Sequence, residues 1–431
     1  MAAFDAPAPA APPRGGVRWA LVGWIFVMSA VAYLDRVNIS IAGKAIAGEF
    51  HLSNVELGYI FSAFLVGYAL CQAPGGRLAD RWGPRRVLTL GVLWWGVFTA
   101  LTAAIPGGLV AGLALFVLVR FLLGCGEAVV YPASNRMVAS WIPVSERGIA
   151  NGVIFAGVGI GAGVTPPLIA YVMHQGGWRW SFWISALIGF AAGGIWFWLA
   201  RDRPSEHPWV KRPEADWIAA GLDSRPAAAR MPWRVMLGDR NVRALSISYF
   251  TFGYSAYIFF SWFFLYLMEV RGLNLKSSAL YGMLPFLAMA VGSPLGGWIS
   301  DVTHRRYGAR VGRLGIAVVG MLLAALFILL GSRAGNAGVA SVILAGGAGA
   351  LYLSQSSFWS VTADVGGASA GAMSGVMNMS NQIGGAITAS LTPALAGWFG
   401  WDASFAVAAA LCVLGAVAWL AVDPRRPLPG R

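Results

Sequence analysis

Apolar runs of about twenty residues, the length that crosses ~30 Å of hydrocarbon at 1.5 Å per residue, recur along the chain between short polar gaps. Twelve stand out, at 19–42, 55–76, 86–105, 108–131, 148–173, 179–200, 244–268, 278–300, 312–332, 337–362, 371–397 and 401–422. They predict an all-α membrane protein with twelve transmembrane helices. With both termini placed in the cytoplasm, 24 of the 31 Lys and Arg fall in cytoplasmic segments; Lys44, Arg179, Arg271, Lys276 and Arg333 fall outside. Cytoplasmic loops attract such an excess of basic residues, so the asymmetry sets the orientation. The polar stretch ARDRPSEHPWVKRPEADWIAAGLDSRP divides the spans into six and six. The expected organisation is a disordered cytoplasmic tail (1–18), an N-terminal six-helix bundle (19–200), a cytoplasmic loop (201–243), a C-terminal six-helix bundle (244–422) and a cytoplasmic tail (423–431). No small-residue cleavage site follows the first apolar run, which therefore reads as a retained span.

Composition agrees: 58% of the 431 residues are hydrophobic, 11% are charged, and the mean hydropathy is +0.66. The net charge of +13 could suggest a nucleic-acid partner. Its basic residues are scattered over loops rather than gathered in one stripe with interleaved aromatics, so no nucleic-acid surface is expected. Cys71, Cys125 and Cys412 all lie in apolar segments and read as small buried hydrophobes. No HExxH or CxxC pattern occurs, and the four histidines fall in separate places at or beyond span ends. Neither enzyme chemistry, a metal nor a cofactor is expected.

Four charges sit well inside spans: Asp35, Arg36, Arg120 and Glu127. Each costs ~2.5–3.5 kcal/mol at a membrane helix centre, roughly 10–14 together before pairing. Two acids and two bases can offset one another, and intramembrane ionisable groups commonly relay protons or hold a ligand's charge. Arg120, Gly124, Glu127 and Tyr131 recur at helical spacing on one face, with Gly124 expected to leave a hollow. Seven residues separate Arg120 from Glu127, ~10.5 Å along the axis, too far for a direct pair. Asp35 is the obvious partner for Arg120.

The halves echo each other. APGGRLADRWGPRR and SPLGGWISDVTHRR each carry Gly-Gly, three residues, an Asp (Asp80 or Asp301) and then basic residues, each after the second span of its half. Such duplication marks a transporter architecture with its site between the halves. GGRLADRWGPRR resembles the loop signature of the major facilitator superfamily, with Gly76, Asp80, Arg81, Gly83 and Arg85 at its positions. AYLDRVNISIAG, GYIFSAFLVGYALCQAPGG, RFLLGCGEAVVYPASNRMVASWIPVSERG and RDRPSEHPWV resemble, more narrowly, the anion:cation symporter family. That family includes proton-coupled carriers of galactonate, glucarate and hexuronates.

The resemblance implies two pseudo-symmetric bundles and proton-coupled uptake of a small organic anion, a sugar acid first. Asp35 and Glu127 would carry protons, while Arg36 and Arg120 handle substrate charge. Arginine suits a carboxylate because its planar fork offers two hydrogen bonds. Two acids suggest two protons, hence electrogenic uptake of a monoanion. Tyr33 and Tyr68 match tyrosines of the sugar-acid site, and Tyr257, Ser356, Trp359, Asn378 and Gln382 are further pocket candidates, as is Tyr254. Gly76, Asp80, Arg81, Gly83 and Arg85, with Arg136, Glu146 and Arg147, would form the latch of the cytoplasmic side. Val158, where galactonate carriers place glutamine, and Gly253, where several relatives have asparagine, favour a less polar acid. An aromatic or tartrate-like carboxylate, or acid-linked efflux of an anion or drug, remain alternatives. The expected working form is a monomer in the inner or plasma membrane, driven by the proton gradient.

Overall fold

The computed structural model describes residues 16–52, 54–107, 111–222, 232–263, 266–267, 270–273 and 275–426. Residues 1–15 of the expected tail, 223–231 of the expected loop, and 427–431 lie outside this range. Among the described residues every regular element is a helix. The N-terminal half contains α1 (Val17–Phe50), α2 (Asn54–Trp82), α3 (Pro84–Ala104), α4 (Gly112–Glu127), α5 (Val130–Trp141), α6 (Arg147–Gly176) and α7 (Trp178–Leu199). Two short helices, α8 (Arg212–Gly221) and α9 (Trp233–Gly238), follow. The C-terminal half contains α10 (Arg240–Ser261), α11 (Leu275–Tyr307), a π-helical turn (Arg310–Gly315) opening α12 (Ile316–Arg333), α13 (Ala337–Gly366), α14 (Ala370–Phe399) and α15 (Trp401–Trp419).

Nine helical runs among the described residues are long and apolar enough to cross a membrane. One of them covers both α13 and most of α14, and α2 and α10, which bury Gln72 and Asp80 and Asn241, Ser248, Thr251 and Ser255 respectively, complete twelve spans. Large apolar side chains point outward, among them Leu187 (68% exposed) and Trp198 (63%). An outer surface of that kind needs hydrocarbon rather than water around it. Several joints between spans are single glycines at positive φ, Gly83 (88°), Gly177 (82°) and Gly400 (83°), where a side chain would be strained.

Several boundaries differ from the sequence expectation. Val17 and Arg18 belong to α1 rather than to the tail, because Glu214 of α8 caps that helix by accepting both of their N–H groups at 3.1 and 3.0 Å. The stretch 201–243 is not simply a loop, since it holds α8 and α9 and the start of α10. The fourth span is broken: α4 ends at Glu127 and α5 begins at Val130. Pro132 has no N–H to return to the Ala128 carbonyl, so the ladder lapses there. Gln72 of α2 donates to that carbonyl instead, at 2.8 Å.

Glycine sets the closest helix approaches. A Cβ on Gly124 would lie 2.2 Å from the Phe64 carbonyl oxygen, so α2 backbone fills the hollow expected there. On α6, Gly157 and Gly161 abut α1 while Gly152 and Gly159 abut α11. The two halves meet along α6 with α11, and along α2 with α14.

Candidate substrate and proton site

The four intramembrane charges converge. Asp35 and Arg36 come from α1, Arg120 and Glu127 from α4, and Asp35, Arg120 and Glu127 are no more than 2% exposed. The ion pair of the site joins Arg36 Nη2 to Glu127 Oε1, not Arg120 to Asp35 as the sequence suggested. Asp35 Oδ2 accepts from Thr99 Oγ1 at 3.3 Å, and the Arg120 guanidinium lies 5.0 Å from the Phe64 ring centre. Arg36 of α1 reaches Glu127 on α4, while the Arg120 guanidinium turns toward Phe64 of α2. Among the described residues, Asp35 Oδ1 and Glu127 Oε2 have no hydrogen-bond donor.

Arg36 also lines the central cavity between the halves. Its guanidinium sits over Tyr33 and Tyr68, 4.6 and 4.7 Å from their ring centres. Cation–π contact holds it where water is scarce. Tyr257, Asn378 and Gln382 line the same cavity, and Tyr257 donates to Gln382 Oε1 at 2.7 Å. Trp359, Ser356 and Tyr254 do not line it. Trp359 lies beneath, packed on Tyr131 and Phe155, and Ser356 is fully buried.

Sequence reasoning overlooked Tyr249, Tyr352, Gln355 and Asn381 on the cavity wall. The Tyr249 hydroxyl accepts from Gln355 Nε2 at 2.8 Å and from Trp359 Nε1 at 2.9 Å. With both lone pairs engaged, its single O–H is left to donate. Helical spacing gives a signal: Tyr352, Gln355 and Trp359 fall at i, i+3 and i+7 of one span. The cavity has ≈ 30 Å³ of free volume, room for a water or two. An organic anion enters only if the walls part.

The walls differ at the two ends. On the face that carries the Arg81–Arg86 and Arg305–Arg313 segments, here called the basic face, two acids play matching roles. Asp80 of α2 accepts from the N–H groups of Gly371 and Ala372 at the start of α14, at 3.0 and 2.8 Å. Asp301 of α11 accepts from Gly148 and Ile149 at the start of α6, at 2.9 and 2.6 Å. A carboxylate at a helix N-terminus satisfies orphan N–H groups and meets the positive end of the dipole. Gly76 makes this approach possible: its Cβ would lie 2.0 Å from the Gly371 carbonyl oxygen.

Arg147 pairs with Asp364 at 2.7 Å, Arg313 with Asp301 at 2.6 Å, and Arg136 with Asp80 at 3.6 Å. Asn135 donates to Thr362 at 2.9 Å across the same interface. Three residues expected in the latch make their contacts with the N-terminal half or with α8. Glu146 binds Arg18 and Trp217, Arg85 donates to the Phe197 carbonyl, and Gly83 turns the chain beside Asp202. Arg81 is exposed at the rim. At the opposite end the cavity is roofed by aromatic contacts, Tyr33 against Phe260 at 6.0 Å and Phe260 against Phe286 at 5.0 Å.

Comparison with known proteins agrees with this architecture. The Major Facilitator Superfamily model matches residues 25–389. A "Probable sulfoacetate transporter" of Cupriavidus necator is 33% identical over 415 residues, covering 94% of each chain. A "Probable galactarate/D-glucarate transporter" of Escherichia coli is 31% identical over 343 residues, 76% of each chain. The solved structure of a proton:xylose symporter superposes with a TM-score of 0.73 at 15% identity, over 93% of this chain and 94% of that one. The chain belongs to the major facilitator superfamily of membrane transporters.

Proposed function

We propose that the protein carries a small organic anion into the cell together with protons, its basic face toward the cytoplasm. The observation that carries this reading is a buried Arg36–Glu127 pair at the edge of a cavity between the halves, with Glu127 Oε2 lacking a donor among the described residues. A proton on Glu127 removes the charge that holds Arg36. The guanidinium then turns to a substrate carboxylate with two hydrogen bonds, and Tyr249 O–H donates to the same anion or to a hydroxyl beside it. Proton and anion load together because each removes the other's obstacle. Asp35 is a second buried carboxyl near this pair, held by Thr99.

Relatives named for sulfoacetate and for galactarate or D-glucarate support a small anion as cargo. A sugar acid is the first candidate class, with Asn378, Asn381 and Gln382 available to its hydroxyls. A specific observation favours a second reading. Nine of the sixteen lining residues are Tyr or Phe, and Val158 is among the others. That wall suits an aromatic or short-chain carboxylate.

The test is uptake into proteoliposomes across an inward proton gradient, screened over sugar acids, aromatic acids and short sulfonates. Accumulation that collapses on adding an uncoupler supports proton symport. Accumulation indifferent to the uncoupler would exclude it.

A further inference from the structure

The seam between α2 and α14 does not close along its whole width. Beside the Gly76–Gly371 contact, a groove of ≈ 420 Å³ opens between these two helices and α9. Its floor is apolar, formed by Pro74 and Leu78 of α2 and Val376 and Met379 of α14. Arg77 and Arg81 stand at its rim, one helical turn apart, with the Arg77 guanidinium 5.1 Å from the ring centre of Trp233. Two guanidinium groups and a tryptophan at the end of a span, above an apolar trench, make an amphipathic arrangement. It offers charge to a headgroup and hydrocarbon to a tail.

Beyond the groove, exposed apolar side chains run on along both helices. On α2 the row Pro74, Leu70 and Val66 leads away from Arg77, with Leu70 61% and Val66 50% exposed. On the antiparallel α14, Met379, Ile383 and Ile387 form the facing row, with Ile383 43% and Ile387 40% exposed. Each row advances by four residues, so its side chains share one helix face. From Leu78 to Val66 the track runs ~18 Å at 1.5 Å per residue.

We infer that this groove binds an anionic phospholipid, its phosphate on Arg77 and Arg81 and one acyl chain along the α2–α14 seam. Charge and apolar surface occur together here in the order a phospholipid presents them. Water-soluble phosphate satisfies only the rim. The occupant touches both halves where Asp80 holds the start of α14, so it stabilises the closed basic face. Opening that face parts the two walls of the groove and releases the lipid's grip.

Thermal unfolding of the full-length protein in neutral detergent tests the assignment, with phosphatidylglycerol, phosphatidylcholine or glycerol phosphate added. A ligand that binds only the folded state raises the midpoint by mass action. The expected result is a rise of several degrees with phosphatidylglycerol and none with the other two. Arg77→Gln/Arg81→Gln should lose that rise. Met379→Trp, which fills the trench and keeps both arginines, should lose it as well and decides the matter alone should the double variant fail to fold. An equal rise with phosphatidylcholine or glycerol phosphate, or an undiminished rise in Met379→Trp, overturns the proposal.

Discussion

Arg36 and Glu127, 91 positions apart in the chain, form the ion pair at the heart of the cavity, and among the described residues only one oxygen of the carboxylate is engaged. A carboxylate oxygen without a donor in a water-poor site is costly. A proton satisfies it and cancels the pair in one step. An anion does the same for Arg36 from the other side. The pair is therefore a switch with two inputs, and coupling follows from their sharing one arginine.

Removing one partner should show the cost of the other. Arg36→Ala leaves Glu127 buried without its counter-charge, a change that costs about 3–5 kcal/mol in comparable buried pairs. The measurement is the thermal midpoint of the purified protein. Arg36→Ala should fall well below wild type, and Arg36→Gln/Glu127→Gln should recover most of the loss while transporting nothing. A double variant that transports, or a single variant as stable as wild type, contradicts the assignment.

The two capping acids should control which face is open. Asp80→Ala and Asp301→Ala each remove a helix cap worth about 1 kcal/mol, and both caps join opposite halves. Spin labels placed across the basic face should report a wider distance distribution in the double variant than in either single one. Gly76→Leu should act more strongly, since its Cβ would fall 2.0 Å from the Gly371 carbonyl oxygen. Unchanged distances in all four variants would remove these contacts from the gating account.

At the opposite end, Arg179 donates to both oxygens of Glu49 at 2.7 and 2.8 Å, and Trp178 donates as well, at 2.8 Å. The Arg179 hydrogen bonds, and then the Trp178 one, hold Glu49 below the ordinary carboxylate range. A group lowered on folding contributes stability that is present above its unfolded value, about 4.3, and is lost as pH falls through the lower folded value. Glu49→Gln should therefore flatten the acid side of the midpoint-against-pH curve and leave an offset at neutral pH. The offset will be small, because the pair is a third exposed. An acid limb as steep as that of wild type would show that the contact adds nothing.

Span number and the charged quartet were legible because both are local signals: hydropathy accumulates along one helix, and a charge inside it stands out. Which arginine meets which acid was not, because that depends on how α1 turns toward α4. Asp364, two residues past the tenth span, drew no notice in the sequence, yet it joins Arg147 to Arg313 across the interface. Ser356 was chosen where Gln355 lines the cavity, an error of one residue. One residue on a helix is ~100° of rotation, and apolarity of a whole span does not fix that angle. The break at Ala128 could have been read from Pro132, whose missing N–H is written in the sequence.

The most direct test compares two modes of transport in one variant. Glu127→Gln protein in proteoliposomes should exchange labelled for unlabelled substrate across the membrane, since a neutral side chain frees Arg36 for the anion. The same vesicles should fail to concentrate substrate under an inward proton gradient. Concentration at the wild-type level by Glu127→Gln would show that the proton travels elsewhere and would contradict the account.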